Sequence, residues 1–398
     1  MKSVKDVYKI GKGPSSSHTM GPQRAAEIFM KENSSAESFK AILYGSLART
    51  GKGHRTDGAI KEAFFPVPCE VFFDCEKSGL PHENTLDLFA IKNGKTVAEM
   101  RVMSVGGGDV EITGRPAAAE ENVYPHSTFK DVAAYCKAEN IRLSDYVYRF
   151  ESEEIKTFLS SVWRAMRNEI DEGLNKTGVL PGGLNVERKA KLLFSQRQPG
   201  ENATTRENRI VCAYAFAASE QNADLGIIVT APTCGACAVL PAVIRYESEV
   251  EKFSEKKILD ALAVGGLIGC IIKENASISG AECGCQAEIG SACAMASAAL
   301  CELFGMSIDQ IECAAEVAME HYLGLTCDPV CGLVQIPCIE RNAVAAMRAI
   351  NCLSLANFLY GTRKISFDLV VKTMYETGKD ISRQYKETAE GGLAKNYG

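Results

Sequence analysis

Three segments carry the residue types that do chemistry: Gly13–Pro22 (GPSSSHTMGP), Gly280–Cys293 (GAECGCQAEIGSAC) and Leu325–Asn342 (LTCDPVCGLVQIPCIERN). The last two set thiols beside glycine and proline turns, where a loop can aim a thiolate at a metal. Cys234, Cys237, Cys283, Cys285, Cys293, Cys327, Cys331 and Cys338 fall in such stretches. The rest of the sixteen cysteines sit singly in apolar patterns, where cysteine packs as a small hydrophobe. No export signal precedes them, so disulfides are not expected. Spacing leaves the metal open. Cys234-x-x-Cys237 and Cys283-x-Cys285 could serve zinc, whereas a cysteine after proline, as at Pro337-Cys338, also occurs around iron–sulfur clusters. Three thiolates would leave one iron of a four-iron cluster open as a Lewis acid that polarises a hydroxyl leaving group.

The remaining segment reads as an anion site. Ser15, Ser16, Ser17, His18 and Thr19 precede a helical run that starts near Met20 to Gln23. A helix N-terminus offers unpaired N–H groups and partial positive charge, and hydroxyls beside it complete a carboxylate or phosphate cradle. One Ser or Thr suffices for capping, so five polar residues after Gly-Pro favour a ligand. The phosphate-loop pattern GxxxxGK[ST] is missing, which points to a small acid. His54 and Asp57 in GKGHRTD and His82 and Asn84 in PHENT add polar loop positions, and three of only five histidines in such loops suggest acid/base or orienting work. Gly107, in the triplet Gly106–Gly108, allows close backbone approach to a ligand. Thr233 sets a hydroxyl at a helix start. Lys273 and Asn275, in KENASIS, are polar groups in an apolar region that must be satisfied by one another or by a ligand.

The elements that must position these groups divide the chain in two. Residues 1–150 alternate short strand-like runs (AILYGSL, CEVFFDC, TLDLFAI, TVAEMRVMSV) with turns, and Asn93-Gly94 is a strong hairpin signal. An α+β domain with a mixed sheet and helices is expected there. From 151 to 398 the apolar period becomes helical, with helices expected over about 155–174, 205–222, 255–273, 286–303, 308–322, 341–359 and 367–377. That part is expected to be all-α and to carry the metal centre. A net charge of −6 without a clustered basic surface argues against a nucleic-acid partner. Every long apolar run is broken by Lys, Glu or Gly, so no membrane span and a cytoplasmic location are expected.

The motifs GPSSSHTMGP, YGSLARTGKGHRTD, PHENT, SVGGG, GVLPGGL, TAPTCGA, KENASISGAECGCQAEIGSAC, CDPVCGLVQIPCIERNA and MYETGKD resemble those of the iron–sulfur-dependent L-serine dehydratases, in order and over nearly the whole chain. The resemblance implies an α+β domain joined to an all-helical domain with a 4Fe-4S cluster on Cys285, Cys327 and Cys338. It implies L-serine as substrate, deaminated to pyruvate and ammonia. Ser15 to Thr19 would hold the carboxylate, and His18, His54 and His82 are the candidates for base and orienting group. Asn84 and Lys273 would lie beside the substrate, with Asp57, Gly107, Thr233 and Asn275 as further binding positions. A homodimer is expected. L-threonine or L-cysteine as preferred substrate, or a non-catalytic iron–sulfur redox or sensor protein, are the alternatives. Two positions depart from the pattern: Cys234 stands where relatives commonly have Asn, and Cys331 where the residue is usually smaller. Cys331 is either a small-for-small exchange or an additional ligand four residues from Cys327.

Overall fold

Alternation of large apolar and polar residues builds one five-stranded sheet in the computed structural model, which describes residues 1–115 and 122–397. The strands are β1 (Ile10–Lys12), β2 (Ser38–Tyr44), β3 (Cys69–Asp74), β4 (Thr85–Lys92), β5 (Lys95–Gly106), β6 (Asp109–Ile112) and β7 (Ile227–Val229). The sheet runs β3-β2-β4-β5-β6; β2 and β3 are parallel and the other pairs antiparallel. Phe39, Ala41 and Leu43 of β2 and Leu86, Leu88 and Ala90 of β4 sit two apart, so all six point to one face. That face is covered by helices α1 (Gly21–Glu32) and α3 (Thr56–Phe64), which follow one another around the short α2 (Gly45–Thr50). Phe39 stacks on Phe64 at 4.1 Å and meets the edge of Phe29 at 5.9 Å. Asn93 and Gly94 both adopt positive φ, 51° and 69°, the conformation of the two-residue turn the sequence signals.

Among the described residues thirteen further helices follow, all of them downstream of the sheet. They are α4 (Phe129–Glu139), α5 (Leu143–Phe150), α6 (Ile155–Asn175), α7 (Ala190–Ser195), α8 (Ala203–Ala223), α9 (Val239–Val250), α10 (Glu255–Asn275), α11 (Gly280–Cys283), α12 (Ser291–Leu303), α13 (Ile308–Glu320), α14 (Cys338–Leu359), α15 (Phe367–Asp380) and the terminal turn α16 (Gly392–Asn396). All seven helices expected from the apolar period occur. Helices α4 and α5 were not expected, and they change the division of the chain. Phe129, Val132, Cys136, Leu143, Tyr146 and Val147 pack into the helical core, not onto the sheet. The two apolar cores therefore part between Ile112 and Val123, upstream of the expected boundary at 150. The first residues cross over as well: Met1, Val4, Val7 and Tyr8 are buried in the helical core, and Tyr8 donates its hydroxyl hydrogen to Leu262 O at 2.9 Å. Strand β1 then pairs with β7, which ties the start of the chain to the helical part.

Small residues let these helices approach closely. A Cβ at Gly173 of α6 would overlap the backbone carbonyl of Ala217 in α8, and backbone cannot give way as a side-chain tip can. Gly173→Ala should therefore destabilise the chain by about 2 kcal/mol or more, the cost of overpacking a tight core. The urea midpoint would fall accordingly, and an unchanged midpoint would mean that the two helices separate freely.

The segment Cys338–Thr362 is long and apolar enough to cross a bilayer by length and composition, contrary to the expectation that every such run is interrupted. It packs against α8, α9, α12 and α13 and buries Asn342, Ala345, Ala346, Ala349, Cys352 and Ala356. Its first residue belongs to the site.

Candidate active site

The serine-rich segment forms a single wide turn, Ser16–Met20, that runs into α1. Ser15 caps it, its Oγ accepting from the His18 N–H at 3.1 Å. Ser15, Ser16, Ser17, His18 and Thr19 are all buried. Thr19 donates to His54 O at 2.8 Å, which holds the second histidine loop against the first. The two imidazoles lie against each other, ring centres 4.5 Å apart and planes tilted by 35°.

Their hydrogen bonds distinguish the two rings. The Ser46 hydroxyl donates to Glu387 O at 3.3 Å, so its one proton is spent and the His18 Nε2–H must supply the 3.0 Å bond between that nitrogen and Ser46. His18 Nδ1 then accepts from Ser17 Oγ at 2.8 Å, and both nitrogens of His18 are engaged. In His54, Nδ1 lies 3.1 Å from Thr50 O, an acceptor, so Nδ1 carries the hydrogen. Its Nε2 therefore presents a lone pair, and this buried atom has no hydrogen-bond partner among the described residues. Burial lowers His54 to about 4 and, with the neighbouring His54, holds His18 well below the usual imidazole range. His82 is half-buried and also lowered by burial; its Nδ1 accepts from the Asn84 N–H at 3.0 Å. Asn84 is fully buried, donates to Ser104 O at 3.3 Å and leaves Oδ1 unpaired among the described residues.

Buried neutral histidines make stability depend on pH with a definite sign. The unfolded chain protonates His54 near 6.5 and the folded chain only near 4, so its contribution is complete above 6.5 and is lost as pH falls through that window. The full difference is about 3 kcal/mol at 1.36 kcal/mol per unit. Urea midpoints should therefore fall less steeply between about pH 7 and about pH 5 in His54→Gln than in the wild-type chain. Parallel slopes would contradict it.

The cysteines converge on the other side of the cradle. Cys285 opens the wide turn Gln286–Gly290, Cys327 pairs strand-like with Lys386, and Cys338 starts α14. With Ser15, Glu288 and Glu387 they line one small enclosed cavity of about 20 Å³. The Cys285 and Cys327 sulfurs and a Glu288 carboxylate oxygen lie within 4.8 Å of one another. Thr233 donates to the other Glu288 oxygen at 2.8 Å. Cys285 is lowered, first by its hydrogen bond with Cys327 and further by Arg341, while Cys327 is raised by Cys285 and by burial. Burial, then Glu288 and Cys285, pushes the Glu387 carboxyl well above the usual range. Three soft donors and two carboxyls turned into one closed space, with Arg341 as the neighbouring cation, fit a bound metal.

Other expected site residues lie elsewhere. Lys273 is bound to Asp109 at 2.6 Å, in a cluster with Lys9 and Arg24, and is not among the residues lining the cysteine cavity. Asn275 is exposed and spends its amide on Ser127 O at 2.7 Å and Ile271 O at 2.8 Å, closing the end of α10. Asp57 sits half-buried in the first turn of α3, where its charge complements the helix end. Gly107, at φ 59°, brings the backbone against Ile278. Cys283 packs against Gly378, and Cys234 rests its sulfur 3.7 Å from that of Met20. Cys331 is exposed, at φ 53°, and lines a larger cleft of about 400 Å³ together with Lys52, Gly53 and Gln335.

A family model described as serine dehydratase alpha chain matches residues 26–394. The chain belongs to that family. Among its relatives, L-serine dehydratase 2 of Escherichia coli (strain K12) is 39% identical over 99% of this chain and 98% of its own length. The L-serine dehydratases of Streptomyces coelicolor and Haemophilus influenzae are 39% and 37% identical, over 99% of this chain in each case and 98% and 99% of their own lengths. For a serine dehydratase family member, sequence reasoning overlooked four residues that frame the site: Ser46, Glu288, Arg341 and Glu387. Glu288 carried a signal, because Cys285-x-x-Glu288 puts both side chains on one face of a helical turn. Glu387 carried none, lying outside the motifs in the polar segment that follows MYETGKD.

Proposed function

We propose that this chain deaminates L-serine to pyruvate and ammonia by β-elimination of water, with a 4Fe-4S cluster held by Cys285, Cys327 and Cys338. The supporting observation is that Ser15 of the hydroxyl cradle lines the same cavity as the three cysteines. When bound, the cluster supplies a Lewis-acid iron for the hydroxyl, which otherwise leaves poorly as hydroxide. The chain does the rest. Ser15 and Ser16, with the N–H groups of the turn that opens α1, receive the substrate carboxylate, where hydroxyls and a helix N-terminus favour negative charge, while Ser17 and Thr19 hold His18 and the His54 loop in place. His54 Nε2, with its free lone pair, takes the α-proton, and His18, fixed through both nitrogens, orients the cradle. Loss of water leaves aminoacrylate, which tautomerises and hydrolyses to pyruvate and ammonia.

Anaerobic reconstitution with iron and sulfide, followed by keto-acid assay on serine, threonine and cysteine, tests this reading. Turnover should require reconstitution and be fastest on serine. Activity of metal-free protein with pyridoxal phosphate would overturn the cluster mechanism, and faster turnover of threonine or cysteine the substrate assignment.

A further inference from the structure

We propose that Glu387 receives the α-ammonium group of the substrate and thereby makes the site select amino acids over other small carboxylic acids. The inference rests on the serine-deaminating reading above and names the partner for the half of the substrate that the cradle does not hold.

A carboxyl and an unpaired histidine nitrogen meet at one place. Glu387 Oε1 lies 3.7 Å from His18 Nδ1 and 3.9 Å from His54 Nε2. The lone pair on His18 Nδ1 is taken by Ser17 Oγ, whereas the one on His54 Nε2 has no partner among the described residues. Acceptors do not hold one another. A group that donates several hydrogens from one atom satisfies them, and an ammonium does so with three N–H bonds and a positive charge. A hydroxyl in the same place has one hydrogen and no charge.

The charge balance points the same way. Glu387 and Glu288 turn carboxyls toward the cysteine cavity, while the nearby Arg341 is committed to Asp328 at 3.0 Å and Thr326 O at 2.7 Å. The charged form of a buried carboxyl is costly without a cation, and a cation arriving with the substrate offsets that cost on binding alone. The cradle across the cavity suits an anion, so a zwitterion matches both walls. Its α-carbon then falls between them, beside His54 Nε2.

Glu387 is also held with unusual firmness. It adopts φ 57°, a conformation that side-chain-bearing residues rarely take and that persists where surroundings enforce it. Its N–H donates to Cys327 O at 2.8 Å, and its carbonyl accepts from Ser46, the residue that also holds His18. The same backbone that fixes the carboxyl thus fixes a cluster cysteine and a cradle histidine.

The test compares L-alanine with propionate, two unreactive carboxylates that differ by the ammonium, by calorimetry on the reconstituted protein, with iron content measured alongside. Wild-type protein should bind alanine at least about tenfold more tightly than propionate, and Glu387→Gln should bring the ratio to about one. The KM for serine should rise by a similar factor, and Glu387→Asp should keep an intermediate ratio. Three results would overturn the proposal: equal binding of the two ligands by wild type, a wild-type ratio in Glu387→Gln, or loss of iron from that variant, which would make Glu387 a metal ligand instead. If Glu387→Gln does not fold, the Glu387→Asp ratio decides, and an unshifted value there counts against the idea. Failure of the serine reading is separate, because it would appear as a lack of pyruvate from wild type while the ligand ratio is read without turnover.

Discussion

Cys327→Ala should leave a folded chain that holds little iron after anaerobic reconstitution and deaminates serine more than about 100-fold more slowly, since even outer-shell partners of a metal cost 10–100-fold. Fold and ligation are separable at this position. The backbone of Cys327 pairs with the C-terminal segment through its N–H to Tyr385 O and its O from the Glu387 N–H, both at 2.8 Å, and alanine keeps both bonds. Only the sulfur is lost. Cys285→Ala and Cys338→Ala should behave alike, because all three line the same cavity. Cys331→Ala is the contrasting variant. Its side chain is exposed on the larger cleft, so iron content, visible spectrum and turnover should stay near wild type. Equal iron in Cys327→Ala and wild type would remove Cys327 from the ligand set, and loss of iron in Cys331→Ala would add a fourth thiolate.

That contrast marks how much of the site was legible in the sequence. Glycine and proline turns flag loops that can aim a thiolate, and Cys285, Cys327 and Cys338 stand in them. Cys283 and Cys331 stand in the same loops and point elsewhere, the first under Gly378 and the second to solvent. Motif spacing does not encode side-chain direction, so it cannot separate the two sets. The strands were readable because one buried face imposes a period of two, as in Phe39, Ala41 and Leu43. Helices α4 and α5 were missed because they are short, interrupted by Asn140 at φ 51°, and buried by contacts with distant helices. Long-range assembly also explains Lys273 and Asn275. Both are polar residues near a cysteine motif, and both are consumed by partners far along the chain, Asp109 and Ser127. Glu387 shows the same limitation in reverse, since a polar tail acquires a role only when it folds across the cavity.

The choice of base among three histidines has the second large consequence. His54→Gln should lower kcat for serine by about 10²–10⁴-fold, the usual worth of a positioned base, with a much smaller change in KM. Glutamine keeps an N–H for Thr50 O and the approximate volume of the ring, so the loop should stay closed while the lone pair disappears. His18→Gln should differ in kind. Its ring is joined to Ser17 and Ser46, so its loss disturbs the carboxylate cradle and should raise KM as well as lower kcat. His82 binds the Asn84 N–H through Nδ1 and is the least buried of the three, so His82→Gln should cost least. An independent measurement is exchange of the α-hydrogen of unreacted serine with deuterated solvent. If elimination is slower than deprotonation, wild type shows exchange and His54→Gln loses it in proportion to kcat. A His18→Gln variant that loses exchange while His54→Gln retains it would reverse the two assignments. The lone pair on His54 Nε2 would then be a binding contact, and the tautomer drawn from the Ser46 proton would have to change with it.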